Sequence, residues 1–112
     1  MTNELPLEID CQSVADKMGQ QNDFVLIDCR EADEHATVSI AGARLLPMSE
    51  LANRVGELEE LRNHQIAIHC HHGGRSMKVA QWLRSQGYAN AQSMAGGIDA
   101  WALEIDRSLP RY

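Results

Sequence analysis

The chain has 112 residues, enough for one domain with a buried core but not for two. Its net charge of -6 at pH 7 argues against a nucleic-acid-binding surface. No apolar stretch approaches the length of about 18 residues that is needed to cross a bilayer. Three cysteines at irregular spacing make a poor disulfide framework. We therefore expect a single cytoplasmic domain over residues 1–112, with its core at about residues 7–107 and with no membrane or nucleic-acid partner.

Apolar runs alternate with amphipathic segments along the chain, which favours a sheet of mostly parallel strands with helices on its faces. The run at residues 24–27 is continuously apolar, as expected of a strand covered on both sides. In chain order we predict a strand at 7–9, a helix at 13–19 capped by Ser13, a strand at 24–27, a short helix around 31–34, a strand at 43–47, a helical stretch at 49–61, a strand at 66–69, a helix ending at Gly87, a strand at 90–94 and a helix at 98–105.

The segment from Cys70 to Ser76 places a nucleophile, two glycines and a cation between a strand and a helix. Gly73 and Gly74 let the backbone turn its N–H groups inward. Converging amides and the N-terminus of the following helix favour an anion, so the pKa of the Cys70 thiol should fall below its usual value of about 8.5. Arg75 keeps its charge and can hold a substrate oxyanion, while Ser76 can cap the helix or donate to the sulfur.

The histidines around this cysteine allow more than one interpretation. His71 and His72 lie at the mouth of the predicted pocket, where they either bind substrate or are simply exposed. His69 lies inside a strand, which favours a structural role. Adjacent residues rarely converge on one tetrahedral ion, and no second cluster with Cys-x-x-Cys or His-x3-His spacing supplies further ligands, so we expect no metal site.

Four segments, in order and in register, resemble the landmarks of the rhodanese (thiosulfate sulfurtransferase) family. Residues 68–76 resemble the active-site segment of that family, which has the form cysteine, two residues, glycine, one residue, arginine, serine. Val38-Ser39 and Ala41 depart from its more frequent residues, which affects the local pocket shape and not the chemistry. The other three segments are residues 27–31 with Glu34, residues 40–43 and residues 96–101.

The resemblance implies a rhodanese-like α/β fold, a five-stranded parallel sheet with helices on both faces. It also implies a two-step reaction without metal or organic cofactor, in which Cys70 takes sulfane sulfur from thiosulfate or a similar donor and passes it to cyanide, a thiol or a thioredoxin-like protein. The backbone amides of residues 71–75 would cradle the persulfide. Asp28 and Arg30 would shape the pocket, and Gly96-Gly97 would allow a tight turn close to the cysteine loop.

Two alternatives to sulfur transfer remain open from the residues alone. A cysteine-dependent phosphatase or arsenate reductase also places an arginine after an anion-binding loop, but that loop is one residue longer than the four residues between Cys70 and Arg75. A non-catalytic or regulatory binding module is disfavoured because the cysteine, both glycines and the arginine are all present. Cys29 is interpreted as a small core residue, and Cys11 has no evident partner.

Overall fold

The computed structural model describes residues 5–20 and 23–111, so residues 1–4, 21–22 and 112 of the expected domain lie outside the described residues. Within the described part, no helix has both the length and the apolar character needed to cross a bilayer. The strands are β1 (Glu8–Ile9), β2 (Phe24–Asp28), β3 (Arg44–Leu45), β4 (Gln65–His69) and β5 (Ala91–Met94). The helices are α1 (Cys11–Gly19), α2 (Ala32–Thr37), α3 (Leu51–Arg54), α4 (Gly74–Ser85) and α5 (Gly97–Glu104), with 3₁₀ segments at Met48–Glu50 and Val55–Leu61.

The strands form one sheet in the order β1-β5-β4-β2-β3, and every neighbouring pair is parallel. Parallel neighbours need a crossover connection, which in this chain passes over one face of the sheet or the other. Strand β4 lies in the middle, between β5 and β2. The predicted five-stranded parallel sheet with helices on both faces is confirmed, and the carboxyl end of its central strand leads directly into the cysteine loop.

Side chains of the central strands alternate between two hydrophobic clusters, one on each face of the sheet. Ile66 and Ile68 face a cluster completed by α3, Val55–Leu61 and α4, which we call the α4 face. Ala67 faces the other cluster, completed by α1 and α5, which we call the α1 face. Because both faces are covered, the middle of β4, residues 66–68, is continuously apolar and not alternately polar. The alternation also decides to which side each polar side chain at the strand ends points.

One local prediction is wrong, and a second is confirmed with a change in helix type. Ser13 does not cap α1: Asp10 does, and its carboxylate accepts a hydrogen bond of 2.7 Å from the backbone N–H of Ser13. The carboxylate is a strong cap acceptor, and it satisfies an N–H that the first helical turn leaves without a partner. The stretch predicted at 49–61 is helical, but it is α-helical only in α3. It continues as the 3₁₀ segment Val55–Leu61, which contains Gly56, a residue of low helix propensity.

The two tryptophans differ in burial. Trp101 is buried on the α1 face. Trp82 is only partly buried and packs against the edge of the α4 face, where it borders an open groove with Met48 and Lys78. The difference follows from position, because Trp82 lies on the flank of α4 and not on the line of Val79 and Leu83 that meets the sheet.

Candidate active site

Cys70 is the first residue after β4, at the carboxyl edge of the sheet. In open parallel sheets this edge is where ligands bind. The loop that follows turns back sharply at Gly73, whose φ of 112° lies in the left-handed region that favours glycine. A Cβ atom at Gly73 would lie 3.5 Å from the backbone nitrogen of Gly96, so the loop also packs closely against the start of α5. The left-handed turn is what requires glycine here, because a Cβ at that distance from Gly96 would make only an ordinary van der Waals contact.

Hydrogen-bond donors surround the sulfur of Cys70. Its Sγ accepts from the backbone N–H of Gly73 at 3.0 Å and of Ser76 at 3.4 Å, and the Ser76 Oγ lies 3.5 Å away. Burial raises the pKa of the Cys70 thiol, but hydrogen bonds from the Ser76 side chain and from the amides of Ser76, Gly73 and Arg75 outweigh it, and the pKa is lowered. The arrangement therefore stabilises a thiolate, in the direction expected from the sequence.

Ser76 connects the sulfur to a second buried serine. Its Oγ lies 2.7 Å from the Oγ of Ser93 on β5 and donates to the carbonyl of Gly73 at 3.2 Å when Cys70 is protonated. Once Cys70 has lost its proton, the Ser76 hydroxyl can turn to the thiolate while Ser93 donates to Ser76. Ser93 was not predicted as a site residue from the sequence. The one feature that could have indicated it is its polar side chain within a short buried strand.

Replacing Ser76 by alanine should raise the pKa of Cys70. The variant removes a donor that favours the charged sulfur, whereas the neutral thiol loses only the weak 3.5 Å hydrogen bond that it donates to the Ser76 Oγ. Alkylation by iodoacetamide at pH 7 should therefore slow several-fold, and its pH profile should move to higher pH. Ser85→Ala is the matched control, since this serine lies at the exposed end of the same helix. Identical alkylation profiles for the Ser76 variant and the wild type would contradict the role of the hydroxyl.

Arg75 does not point freely into solvent. Its guanidinium makes two hydrogen bonds to the carboxylate of Glu34 on α2, at 2.7 and 2.9 Å. This pairing raises the pKa of Arg75, which keeps its charge at every relevant pH. Glu34 itself belongs to a capping box with Glu31, whose backbone N–H donates to it at 3.1 Å. The cation beside the cysteine loop is therefore held in place by the first turn of α2.

Asp28 and Arg30 form a fully buried ion pair, with contacts of 2.7 and 3.0 Å. Burial raises the pKa of Asp28, but the hydrogen bonds from Arg30 outweigh it and the pKa is about 2. Arg30 also donates to the carbonyls of Glu34 at 3.4 Å and of Val38 at 2.6 Å, at the start and end of α2. The ion pair therefore helps to hold in place the helix that carries Glu34, the partner of Arg75.

His69 lies on the side of the sheet away from the sulfur. Its register partner is Asp28, and the His69 Nε2 lies 3.9 Å from a carboxylate oxygen of that residue. Burial lowers the pKa of His69 to about 4, so the ring is neutral at neutral pH. Strand alternation turns His69 toward the α1 face and Cys70 toward the α4 face, which is why residues 69–72 do not converge on a common point.

His71 and His72 stack on each other at 3.9 Å beside Asp99 of α5. Possible ligand atoms of these three residues lie within 4.8 Å of one another, the one such group in the described part of the chain. The Asp99 carboxylate already accepts two hydrogen bonds from Arg111, at 2.8 and 3.2 Å, and lies 3.7 Å from the His72 Nε2. A cation would have to displace Arg111, so the group fits a contact between the loop and α5 better than a metal centre.

The start of α5 fixes the backbone of the cysteine loop. The N–H of Ile98 donates to the carbonyl of Cys70 at 2.9 Å, and the N–H of Asp99 donates to that of His71 at 3.1 Å. These contacts require Gly97, because a Cβ there would overlap both carbonyl oxygens, and its φ of 60° is left-handed. The close turn expected at Gly96-Gly97 therefore positions the two amides that bind the loop carbonyls. These bonds keep the carbonyl groups of the cysteine loop directed toward α5, while the loop amides face the sulfur.

A family model described as the rhodanese-like domain matches residues 10–104. The chain belongs to the rhodanese-like domain family. The resemblance predicted from four short segments is confirmed over most of the chain, including the segments in which single residues depart from the frequent pattern.

Named relatives of this rhodanese-like domain include sulfurtransferases. A protein named sulfurtransferase from Allochromatium vinosum is 35% identical over 95 residues, covering 85% of this chain and 87% of its own. The rhodanese-like/PpiC domain-containing protein 12, chloroplastic, from Arabidopsis thaliana is 36% identical over 89 residues, 78% of this chain, but this chain spans only 30% of its length. The crystal structure of a rhodanese-like domain protein from Staphylococcus aureus superimposes with a TM-score of 0.79 at 26% identity, covering 96% of this chain and 99% of that one.

Proposed function

We propose that this rhodanese-like domain is a sulfurtransferase in which Cys70 carries the transferred sulfur as a persulfide. The observation that supports the proposal most directly is the position of the Cys70 Sγ, which receives hydrogen bonds from two backbone amides and lies beside the Ser76 hydroxyl. A site built in this way stabilises a sulfur anion before and after the transfer step. It also needs only groups supplied by the chain itself.

The proposed reaction divides one transfer into two displacements. With thiosulfate as donor, the Cys70 thiolate attacks the outer sulfur, the sulfur–sulfur bond of the donor breaks, and sulfite leaves with the electron pair. The resulting persulfide anion takes the place of the thiolate among the amide donors of Gly73 and Ser76. A thiophilic acceptor such as cyanide then removes the outer sulfur as thiocyanate and restores the thiolate. We also propose a thiol or a thioredoxin-like protein as an acceptor in a cytoplasmic setting.

Loop length favours sulfur over phosphate as the transferred group. Four residues separate Cys70 from Arg75, and the Gly73 and Ser76 amides converge on the cysteine sulfur itself. A phosphoryl group needs a wider ring of donors, one that reaches three equatorial oxygens around the phosphorus. Arg75 is also engaged by Glu34 instead of facing the ring alone. These features make phosphatase or arsenate reductase chemistry the weaker candidate.

Arg75 is proposed to attract the oxyanion end of the donor. It retains a fixed positive charge, its side chain is 37% exposed, and Glu34 holds it in one place. Arg75→Ala should therefore raise the KM for thiosulfate about tenfold or more with a smaller change in kcat, because the interaction acts mainly on binding. Arg54→Ala removes an equally charged side chain that pairs with Glu50 and Glu57, and should leave both constants unchanged. An unchanged KM for Arg75→Ala would remove the arginine from the donor site.

Intact-mass measurement after thiosulfate treatment tests the proposed function. The wild-type chain should gain one sulfur atom, about 32 Da, and lose it again when cyanide is added. Cys70→Ser should gain nothing under the same conditions, whereas Cys11→Ser should behave like the wild type. A chain that gains no sulfur and instead hydrolyses an aryl phosphate would replace the proposal by the phosphatase alternative. If the chain shows neither the sulfur adduct nor phosphate hydrolysis, the binding-module alternative is favoured.

A further inference from the structure

A second cysteine, Cys29, lies directly beside Cys70 and has no part in the proposed transfer. Strands β2 and β4 pair in register up to Asp28 and His69, and the N–H of Cys29 continues the ladder with a 3.0 Å bond to the carbonyl of His69. The two cysteines therefore occupy neighbouring positions just past the ends of adjacent parallel strands. Both are about 1% exposed.

The side chains of the two cysteines point to the same side of the sheet. Ile27 and Ile68 are register partners on the α4 face, and Cys29 and Cys70 follow them two residues later in the same hydrophobic cluster. Adjacent strands lie about 4.8 Å apart. A disulfide spans Cα separations of roughly 4.4 to 6.8 Å, so the pair can be joined with little backbone movement.

We propose that Cys29 is a resolving cysteine, which forms a disulfide with Cys70 after hydrogen peroxide has oxidised Cys70 to a sulfenic acid. In the first step the Cys70 sulfur attacks one peroxide oxygen, the oxygen–oxygen bond breaks, and hydroxide leaves. In the second step the Cys29 sulfur attacks the Cys70 sulfur, the sulfur–oxygen bond breaks, and the departing hydroxide takes the Cys29 proton to give water. Peroxide is the only oxidant needed, and the two thiols supply the two electrons.

The electrostatic difference between the two thiols sets the order of the steps. The Cys70 sulfur is surrounded by donors that favour its thiolate, so it is the group that reacts first with an oxidant. Burial raises the pKa of Cys29, and the neighbouring Cys70 raises it further. Cys29 therefore stays protonated, does not compete for the sulfur donor, and reacts only when an activated sulfur lies beside it.

The disulfide would switch the site off and protect it. Joined to Cys29, the Cys70 sulfur can no longer attack a donor or accept a transferred sulfur among the amides of Gly73 and Ser76. The same bond blocks further oxidation to the irreversible sulfinic and sulfonic acids. A thiol reductant would restore the thiolate by disulfide exchange.

Cys11 provides an internal control for this pairing. It lies at the start of α1 in the cluster on the α1 face, across the sheet from the other two cysteines. Its Sγ donates to the carbonyl of Ala95 at 3.7 Å, and burial raises its pKa to about 11. Cleavage by trypsin after Lys17, Arg30, Arg62 and Arg75 places the three cysteines in separate peptides, residues 1–17, 18–30 and 63–75.

The test is peroxide treatment of the full chain, read by mass and by peptide mapping. The wild-type chain should lose about 2 Da, the mass of two hydrogens, join peptides 18–30 and 63–75, and return to its starting mass with a thiol reductant. Cys29→Ala should form no cross-link and should instead gain about 32 Da, the mass of two oxygen atoms. After reduction, the amount of reactive Cys70 thiol recovered should be at least about tenfold lower than in the wild type. Cys11→Ala should behave like the wild type.

Three results would overturn the proposal: oxygen added to wild-type Cys70 without a cross-link, a cross-link through peptide 1–17, or three free thiols after treatment that oxidises a small-molecule thiol. If Cys29→Ala does not fold, the wild-type peptide map alone decides the question. The cross-link is read without any sulfur donor, so this proposal and the proposed sulfur transfer can fail separately.

Discussion

Replacing Cys70 by serine should lower sulfur transfer from thiosulfate to cyanide by at least about 1,000-fold, because the variant loses the proposed nucleophile. A serine hydroxyl does not ionise in the range in which the thiolate forms, and hydrogen bonds from Gly73 and Ser76 cannot compensate for that difference. Serine is nearly isosteric with cysteine and can accept the same hydrogen bonds. The fold should therefore survive, and the circular dichroism spectrum should match that of the wild type.

Cys11→Ser is the matched control for the assignment of the nucleophile. It makes the same chemical change at a buried cysteine on the opposite face of the sheet, so transfer should remain within about twofold of the wild type. Transfer is measured as thiocyanate produced per chain at saturating thiosulfate. Turnover by folded Cys70→Ser close to the wild-type rate would rule out the persulfide at Cys70.

Gly97→Ala should be the most damaging single substitution outside the cysteine loop. The added Cβ would overlap the carbonyl oxygens of Cys70 and His71, and these are backbone atoms that cannot move aside as a flexible side chain can. Alanine also disfavours the left-handed φ of 60° at this position. We expect a loss of about 2–4 kcal/mol in the free energy of unfolding, since the clash and the strain add.

The same substitution should reduce activity even where the chain still folds. The bonds from Ile98 and Asp99 to the loop carbonyls would lengthen, and the amides that stabilise the Cys70 thiolate would move with them. Urea unfolding and sulfur transfer measure the two effects. Gly56→Ala is the control, because a Cβ there meets no atom within 4 Å; it should change stability by less than about 1 kcal/mol. Equal stability and activity of the two variants would refute the role assigned to Gly97.

The sequence indicated Cys70 as the candidate nucleophile because the relevant information is local. Cysteine, glycines, arginine and serine lie within seven consecutive residues, and their order alone predicts a loop whose amides face the sulfur. The alternation of apolar runs likewise predicted the five strands near their observed positions. Helix caps were less predictable, as Asp10 and Ser13 show, because several nearby side chains can satisfy the same N–H groups.

The partners of the site residues could not be predicted, since they come from distant parts of the chain. Glu34 reaches Arg75 across 41 positions, and Ser93 reaches Ser76 across 17. Sequence patterning shows that such polar residues exist, but a hydrogen bond depends on the angle at which two packed elements meet. The role of Glu34 as the holder of the arginine therefore became visible only with α2 placed against the loop.

The family and the parallel α/β architecture could be read from short motifs and hydrophobic periodicity, and so could the candidate nucleophile Cys70. The groups that surround the sulfur and the residues that lie behind it became visible only in the folded chain. The register of β2 against β4 brings Cys29 beside Cys70 and turns His69 away. Strand register depends on the packing of both faces of the sheet at once, and this is a property of the assembled core, not of any segment.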